Sequence, residues 1–147
     1  MSESTTLILT IDGAASNNQH EDEREAAVGY VVQEGSETLI ENGEYLGKGP
    51  SYTNNVAEYQ AIKFGADEIA SSWDPETVGL EIQTDSELVA KQLTGEYGIN
   101  DQKMQRNHAE VMETLSTFGY WEITHLSEAP NNTVEIADNL AGDVLDT

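Results

Sequence analysis

The run Thr6-Leu7-Ile8-Leu9-Thr10-Ile11 places apolar or β-branched side chains on both faces of an extended chain, and Asp12-Gly13 follows it. Only a strand covered by a layer on each side can bury both faces, so this run predicts the centre of a layered α/β sheet. The segments that follow fit such a fold. Ala26 to Val32 reads as a second strand and Glu37 to Leu46 as a third, joined as a hairpin at Glu34-Gly35-Ser36. Past the breaker Gly47-Lys48-Gly49-Pro50-Ser51, the residues Val56, Tyr59, Ile62, Ala66 and Ile69 recur at helical spacing to about Ser71. Val78 to Thr84 has strand length, and a short helix follows through Leu93. Met104, His108, Val111, Met112, Leu115 and Phe118 form the stripe of a helix over 101–118, Tyr120 to Leu126 a last strand, and Ile136, Leu140 and Val144 one row of a helix over 131–146. The order βββαβααβα implies a mixed five-stranded sheet, an antiparallel meander followed by parallel crossovers, with helices on both faces. At 147 residues the chain is expected to form one domain over 1–147 and to bury roughly two-thirds of its unfolded surface.

Charge narrows the setting. With 28 acidic against 6 basic residues the formal net charge is −22. Such a surface repels itself, and it becomes tolerable where salt shortens the Debye length to about 3 Å at 1 M. The composition resembles that of proteins from salt-accumulating halophiles. Two other readings compete with it: an acidic disordered chain, against which the periodic apolar segments argue, and an acidic mimic of nucleic acid. There is no cysteine, which excludes disulfides, thiolate metal sites and thiol nucleophiles. The polar, acidic start and the absence of a long apolar run predict a soluble, cytoplasmic protein without membrane attachment.

Four acidic islands stand at element ends along the chain: Ile11-Asp12-Gly13, Thr53-Asn54-Asn55-Val56-Ala57-Glu58, Thr84-Asp85-Ser86 and Ala137-Asp138-Asn139-Leu140-Ala141. If their carboxylates converge, they form an oxygen cage suited to hard divalent cations. Two such ions about 3.5–4 Å apart can activate water and stabilise a leaving oxygen in phosphodiester cleavage.

Each island also has a local explanation. With Asn55 as N-cap, Glu58 would complete a capping box; Thr84 with Glu87 has the same spacing, and Asp85 and Ser86 suit a helix start. Asp12-Gly13 could be a strand-ending turn. Asp138 is different, because an aspartate inside a helix caps nothing and is a mediocre helix former. Small Ala141, one turn on, is expected to leave room beside it for a cation and substrate.

In order and in wording, these islands resemble the type 1 ribonuclease H family over nearly the whole chain. Thr53-Asn54-Asn55-Val56-Ala57-Glu58-Tyr59 is similar to that family's T-N-N-x-A-E-y segment, Asp12-Gly13 to its D-G, Thr84-Asp85-Ser86 to its D-S and Ala137-Asp138-Asn139-Leu140-Ala141 to its A-D-x-L-A. The short stretch Leu93 to Tyr97 is similar to members lacking a basic protrusion. The resemblance implies a ribonuclease H-like fold and endonucleolytic hydrolysis of the RNA strand of an RNA/DNA hybrid, leaving 5′-phosphate and 3′-hydroxyl ends. It implies that Asp12, Glu58, Asp85 and Asp138 are catalytic and hold two Mg2+ or Mn2+ ions. It further implies that Gly13, Thr53, Asn54, Asn55 and Ser86 contact the hybrid and that Glu58 also meets a ribose 2′-hydroxyl; the protein is expected to work as a monomer.

The loop before the last helix departs from the family pattern. The usual Arg is absent, Val134 replaces an asparagine, and no histidine follows His125, so any loop role falls to Glu128, Asn131 or Asn132. Glu87 stands where a neutral residue is frequent and would repel a phosphate unless a cation lies between. His108 reads as a packed histidine, His20 as solvated, His125 as an outside candidate for the site, and Trp73 and Trp121 as core. Arg24, Lys48, Lys63, Lys91, Lys103 and Arg106 are too few and scattered for a basic patch, so metal ions, backbone amides and asparagines are expected to replace lysine and arginine contacts. Two alternatives remain open: a catalytically silent nucleic-acid-binding module of this fold, and a same-fold nuclease acting on double-stranded RNA or RNA–DNA junctions.

Overall fold

The first strand, β1 (Thr5–Ser16), runs well past its apolar segment. This computed structural model describes residues 5–16, 21–126 and 132–145. Asp12 therefore lies inside β1, not at its end as the sequence implied. The reason is the neighbour on one side: β2 (Glu25–Glu34) continues to pair with β1 through Asp12↔Gly29 as far as Ser16↔Glu25.

β3 (Glu37–Lys48) closes the hairpin on β2 through the two-residue loop Gly35-Ser36, where Gly35 takes the positive φ of 60° that such a turn demands. After α1 (Asn54–Ser72), β4 (Val78–Thr84) pairs parallel with β1, and β5 (Tyr120–His125) pairs parallel with β4. The sheet order is β3-β2-β1-β4-β5, the mixed five-stranded sheet expected. Between β4 and β5 come α2 (Glu87–Leu93) and α3 (Gln102–Leu115), and α4 (Asn132–Leu145) ends the described chain. Single 3-10 turns at Glu21–Glu23 and Pro75–Thr77 complete the list.

Odd-numbered residues of β1 face α1. Leu7, Leu9 and Ile11 join Val28, Tyr30 and Val32 of β2, Leu80 and Ile82 of β4, and Tyr59, Ile62 and Ile69 of α1 in a fully buried core, onto which α3 adds Val111 and Leu115. Even-numbered residues face α4, which crosses β1, β2 and β3. Coverage is uneven, because β4 buries Val78, Leu80, Ile82 and Thr84 while Gly79, Glu81 and Gln83 stay half-open, and β5 exposes Tyr120, Glu122 and Thr124. Both faces are thus closed only where β1 and β2 run, which is where the doubly apolar sequence was found.

α4 lies on the sheet backbone against backbone. A Cβ on Gly29 would fall 2.1 Å from the Ala137 carbonyl oxygen, and one on Gly43 would fall 2.6 Å from that of Leu140. Ala137 and Ala141 are fully buried in this seam. Ala141, expected to leave room beside Asp138, is buried with its backbone against Gly29 of β2. Among the described residues no helix is long and apolar enough to cross a membrane.

Candidate active site

Parallel pairing of β1 with β4 stops at Thr10↔Gln83, whereas pairing with β2 continues. Beyond that point one edge of β1 is open, and three other elements enter the gap. Gly13 lets α1 come down on it: a Cβ there would sit 2.4 Å from Ala57 C and Glu58 N. Glu58 then reaches round the strand edge, and its Oε1 accepts from the Gly13 amide at 2.9 Å. Its Oε2 accepts from the Thr84 hydroxyl at 3.3 Å. Asp85 follows Thr84 on the turn into α2. Asp138 arrives on α4 one residue after Ala137, which Gly29 receives, and Gly29 is the strand partner of Asp12.

Asp12, Glu58 and Asp85 each offer a carboxylate oxygen, and these oxygens lie within 4.8 Å of one another. Asp138 lines the same cavity, of about 370 Å3, beside the Asp12 carboxyl. Asp12 and Glu58 are each only 6% exposed. Burial first, and the Glu58 charge second, push the Asp12 carboxyl up to about 10. Burial also raises Glu58, to about 7, against hydrogen bonds from Asp12, the Gly13 amide and Thr84 that favour its charge, with Asp85 adding repulsion. An all-oxygen, convergent, anionic donor set of this kind fits Mg2+ or Mn2+ and offers nothing to a soft metal.

The local readings of the sequence need correction. Thr53, not Asn55, caps α1, its hydroxyl accepting from the Val56 amide at 3.2 Å. Glu58 is therefore beyond the first turn and makes no capping box; it is free to turn to Gly13. At α2 the cap is Ser86, which accepts from the Val89 amide at 3.2 Å, so Thr84 with Glu87 is no capping box either. Gly13, Asn54, Asn55 and Ser86 line the carboxylate cavity together with Ala14 and Ala15, while Thr53 is not among its lining residues. Glu128 and Asn131 lie outside the described residues, as do the side chain of Asn132, whose backbone opens α4, and His20.

His108 packs edge-on against Tyr59, with ring centroids 6.3 Å apart, and Trp73 and Trp121 lean on the core, as expected. His125 is half-buried and faces Glu87, away from the cavity lining. Glu87 does have a cation beside it, Lys91 at 3.2 Å, which with the Tyr97 hydroxyl holds its carboxyl below the usual range.

Two features escaped sequence reasoning. One is Thr84, fully buried yet bonded to Glu58; its only sequence signal is adjacency to Asp85. The other is a second cavity of about 520 Å3 between α1 and α3, lined by Lys103 and Arg106 with Tyr52, Gln60 and Phe64. Its signal was present: Lys103 and Arg106 are three apart on one helix, and Ser51 and Tyr52, also in its lining, directly precede Thr53-Asn54-Asn55.

Comparison with known proteins agrees with this geometry. The reverse transcriptase-like family model matches residues 11–143. A ribonuclease HI of Halobacterium salinarum is 38% identical over 136 residues, which are 92% of this chain; the chain spans 62% of that relative's length. The crystal structure of RNase H1 from the same halophilic archaeon is 36% identical with a TM-score of 0.80, covering 96% of this chain and 98% of that one. LC11-RNase H1, solved in complex with an RNA/DNA hybrid, is 25% identical with a TM-score of 0.80, covering 95% of this chain and 96% of that one.

Proposed function

This chain belongs to the type 1 ribonuclease H family, and on that footing we propose that it hydrolyses the RNA strand of RNA/DNA hybrids endonucleolytically, leaving 5′-phosphate and 3′-hydroxyl ends. The observation that carries this reading is the convergence of Asp12, Glu58 and Asp85 oxygens within 4.8 Å, with Asp138 on the same cavity. Those four residues would hold Mg2+ or Mn2+, and divalent cations there supply water activation and stabilisation of the leaving 3′ oxygen. The protein's own part is rigidity. Asp12 is fixed in a strand paired to β2, Glu58 is held by a backbone amide and a hydroxyl, and Asp138 is held by a backbone seam under α4.

Substrate discrimination falls to the rim. Glu58 sits where a ribose 2′-hydroxyl of a bound RNA strand can be read, and Asn54 and Asn55 can hydrogen-bond base edges or sugars in a minor groove. Gly13 leaves room for close approach of the duplex. Ser86, and Thr53 through its cap, shape the same rim. The cavity lined by Lys103 and Arg106, and also by Glu110, lies between α1 and α3 and offers two cations to a second strand. The protein is read as a single-domain, monomeric, cytoplasmic enzyme of a salt-rich cell, a reading to which its charge of −22 lends support.

The test is cleavage of an end-labelled RNA/DNA hybrid beside duplex RNA, duplex DNA and single-stranded RNA in molar salt with Mg2+ or Mn2+. Asp85→Asn serves as control. Cutting confined to the hybrid and reduced by about 100-fold or more in the variant is expected, given what one misplaced charge costs an electrostatic site. A folded protein that cuts none of these, or an Asp85→Asn variant as active as the parent, would overturn the proposal.

A further inference from the structure

We propose that Thr84 is a positioning residue for the cation cage: its hydroxyl fixes Glu58 and Asp85 relative to each other. The inference rests on the reading of that cage as a divalent-cation site. Three observations carry it. Thr84 ends β4 and is fully buried, so its hydroxyl has no access to water and must find protein partners. It finds two. The Oγ1 donates its proton to Glu58 Oε2 at 3.3 Å and accepts from the Ser86 amide at 3.0 Å. The second bond spans Asp85, clamping the turn that presents it; the first crosses to α1.

The backbone of Thr84 is anchored independently, through register with His125 on β5 and a bond from the Leu126 amide to its carbonyl at 2.8 Å. The hydroxyl therefore starts from a fixed point. Glu58 has its other oxygen on the Gly13 amide, so its carboxylate is held at both ends: by β1 through Gly13 and by β4 through Thr84. Without the hydroxyl, the carboxylate is free to rotate about the Gly13 contact, and the Asp85 turn loses the bond that spans it. Both carboxylates remain, but their mutual geometry is no longer set. Partners of this kind typically tune metal affinity by 10–100-fold.

The experiment compares wild type with Thr84→Val, which keeps the β-branched shape, Thr84→Ala as a second hydroxyl-free variant, and Thr84→Ser, which keeps the hydroxyl. Two readouts are taken: the rise in melting temperature with Mg2+ or Mn2+ without nucleic acid, and the cation concentration giving half-maximal hybrid cleavage. Expected is that Val and Ala each need about tenfold more cation in both assays, with Ser restoring the wild-type value. A merely structural threonine would lower the cation-free melting temperature and leave both cation midpoints in place. That outcome, or failure of Ser to rescue, would overturn the proposal. If wild type cuts the hybrid and the variants match its cation midpoints, only the role of Thr84 falls. If wild type cuts nothing, the proposed function falls, and the cation-induced melting shift alone still decides for or against Thr84.

Discussion

Asp12 is 6% exposed between Glu58 and Asp138, so its charged form is disfavoured first by lost hydration and then by its neighbours. Glu58 is raised for the same first reason. In the folded, cation-free protein both carboxyls hold protons more tightly than they would in the unfolded chain. Their contribution to stability is therefore present below the ordinary carboxylate range and is lost as pH rises through the raised values. Asp12→Asn removes the Asp12 share of that dependence. In chelator-treated buffer the variant should melt within about a degree of wild type near pH 5 and a few degrees above it near pH 8. Millimolar Mg2+ should reverse the order at pH 8 by stabilising wild type alone. Calorimetry at the two pH values checks this, and a gap between the proteins that does not change with pH would sink the assignment. The four acidic islands were legible in the sequence, although Asp12 proves to stand inside β1 and Glu58 beyond the first turn of α1. Residue role was less so. Glu58 matched a capping pattern only because the start of α1 was placed at Asn55; with Thr53 as the cap, the same glutamate falls beyond the first turn.

The elements bring the site together by unusually close contact. α4 approaches β2 until the Ala137 carbonyl lies where a Gly29 Cβ would be, at 2.1 Å, and it is this seam that carries Asp138 to Asp12. Gly29→Ala must push the helix outward or bend the strand, because the obstacle is backbone and cannot rotate aside. Overpacking of this kind costs about 1–3 kcal/mol, a loss of several degrees in melting temperature. Cleavage should fall by more than stability predicts, since Asp138 moves with the helix. A Gly29→Ala protein that keeps wild-type activity below its melting transition would show that Asp138 does not depend on the seam. This layer of the design was only half readable. Hydrophobic pattern and segment length located in order the nine strands and α-helices of the described residues. They missed the extension of β1 through Asp12 to Ser16, which depends on continued pairing with β2 and on small side chains rather than on apolar ones. They also could not reveal that the other face of β4 and β5 stays half-open, since that depends on where α4 lies across the sheet.

For the whole molecule, 28 acidic residues against 6 basic ones set two opposing dependences on salt. Self-repulsion among surface carboxylates falls as the Debye length shortens, from about 10 Å at 0.1 M to about 3 Å at 1 M, which favours the folded state. Binding of a nucleic acid ordinarily weakens with salt, with a logarithmic slope close to the number of phosphates neutralised. That second effect is limited here. Lys63 and Lys91 are engaged by Asp67 and Glu87 in their own helices, and the Arg24 guanidinium donates to the Pro50 carbonyl. Lys48, Lys103 and Arg106 are left, and of these Lys103 and Arg106 share a cavity beside α1. Three cations predict a slope near −3 at most, against a repulsion from the remaining surface that salt relieves. Raising KCl from about 0.1 M toward 2 M should therefore raise the melting temperature. It should also raise, or leave unchanged, the rate of hybrid cleavage at a temperature where the protein is folded throughout the titration. Measuring both on one preparation separates the two effects, since circular dichroism follows folding and the cleavage rate at saturating Mg2+ follows binding and chemistry. A steep fall in cleavage from low salt upward, with the fold intact, would mean that basic side chains dominate affinity after all, and that the carboxylates, amides and asparagines of the rim do not carry it.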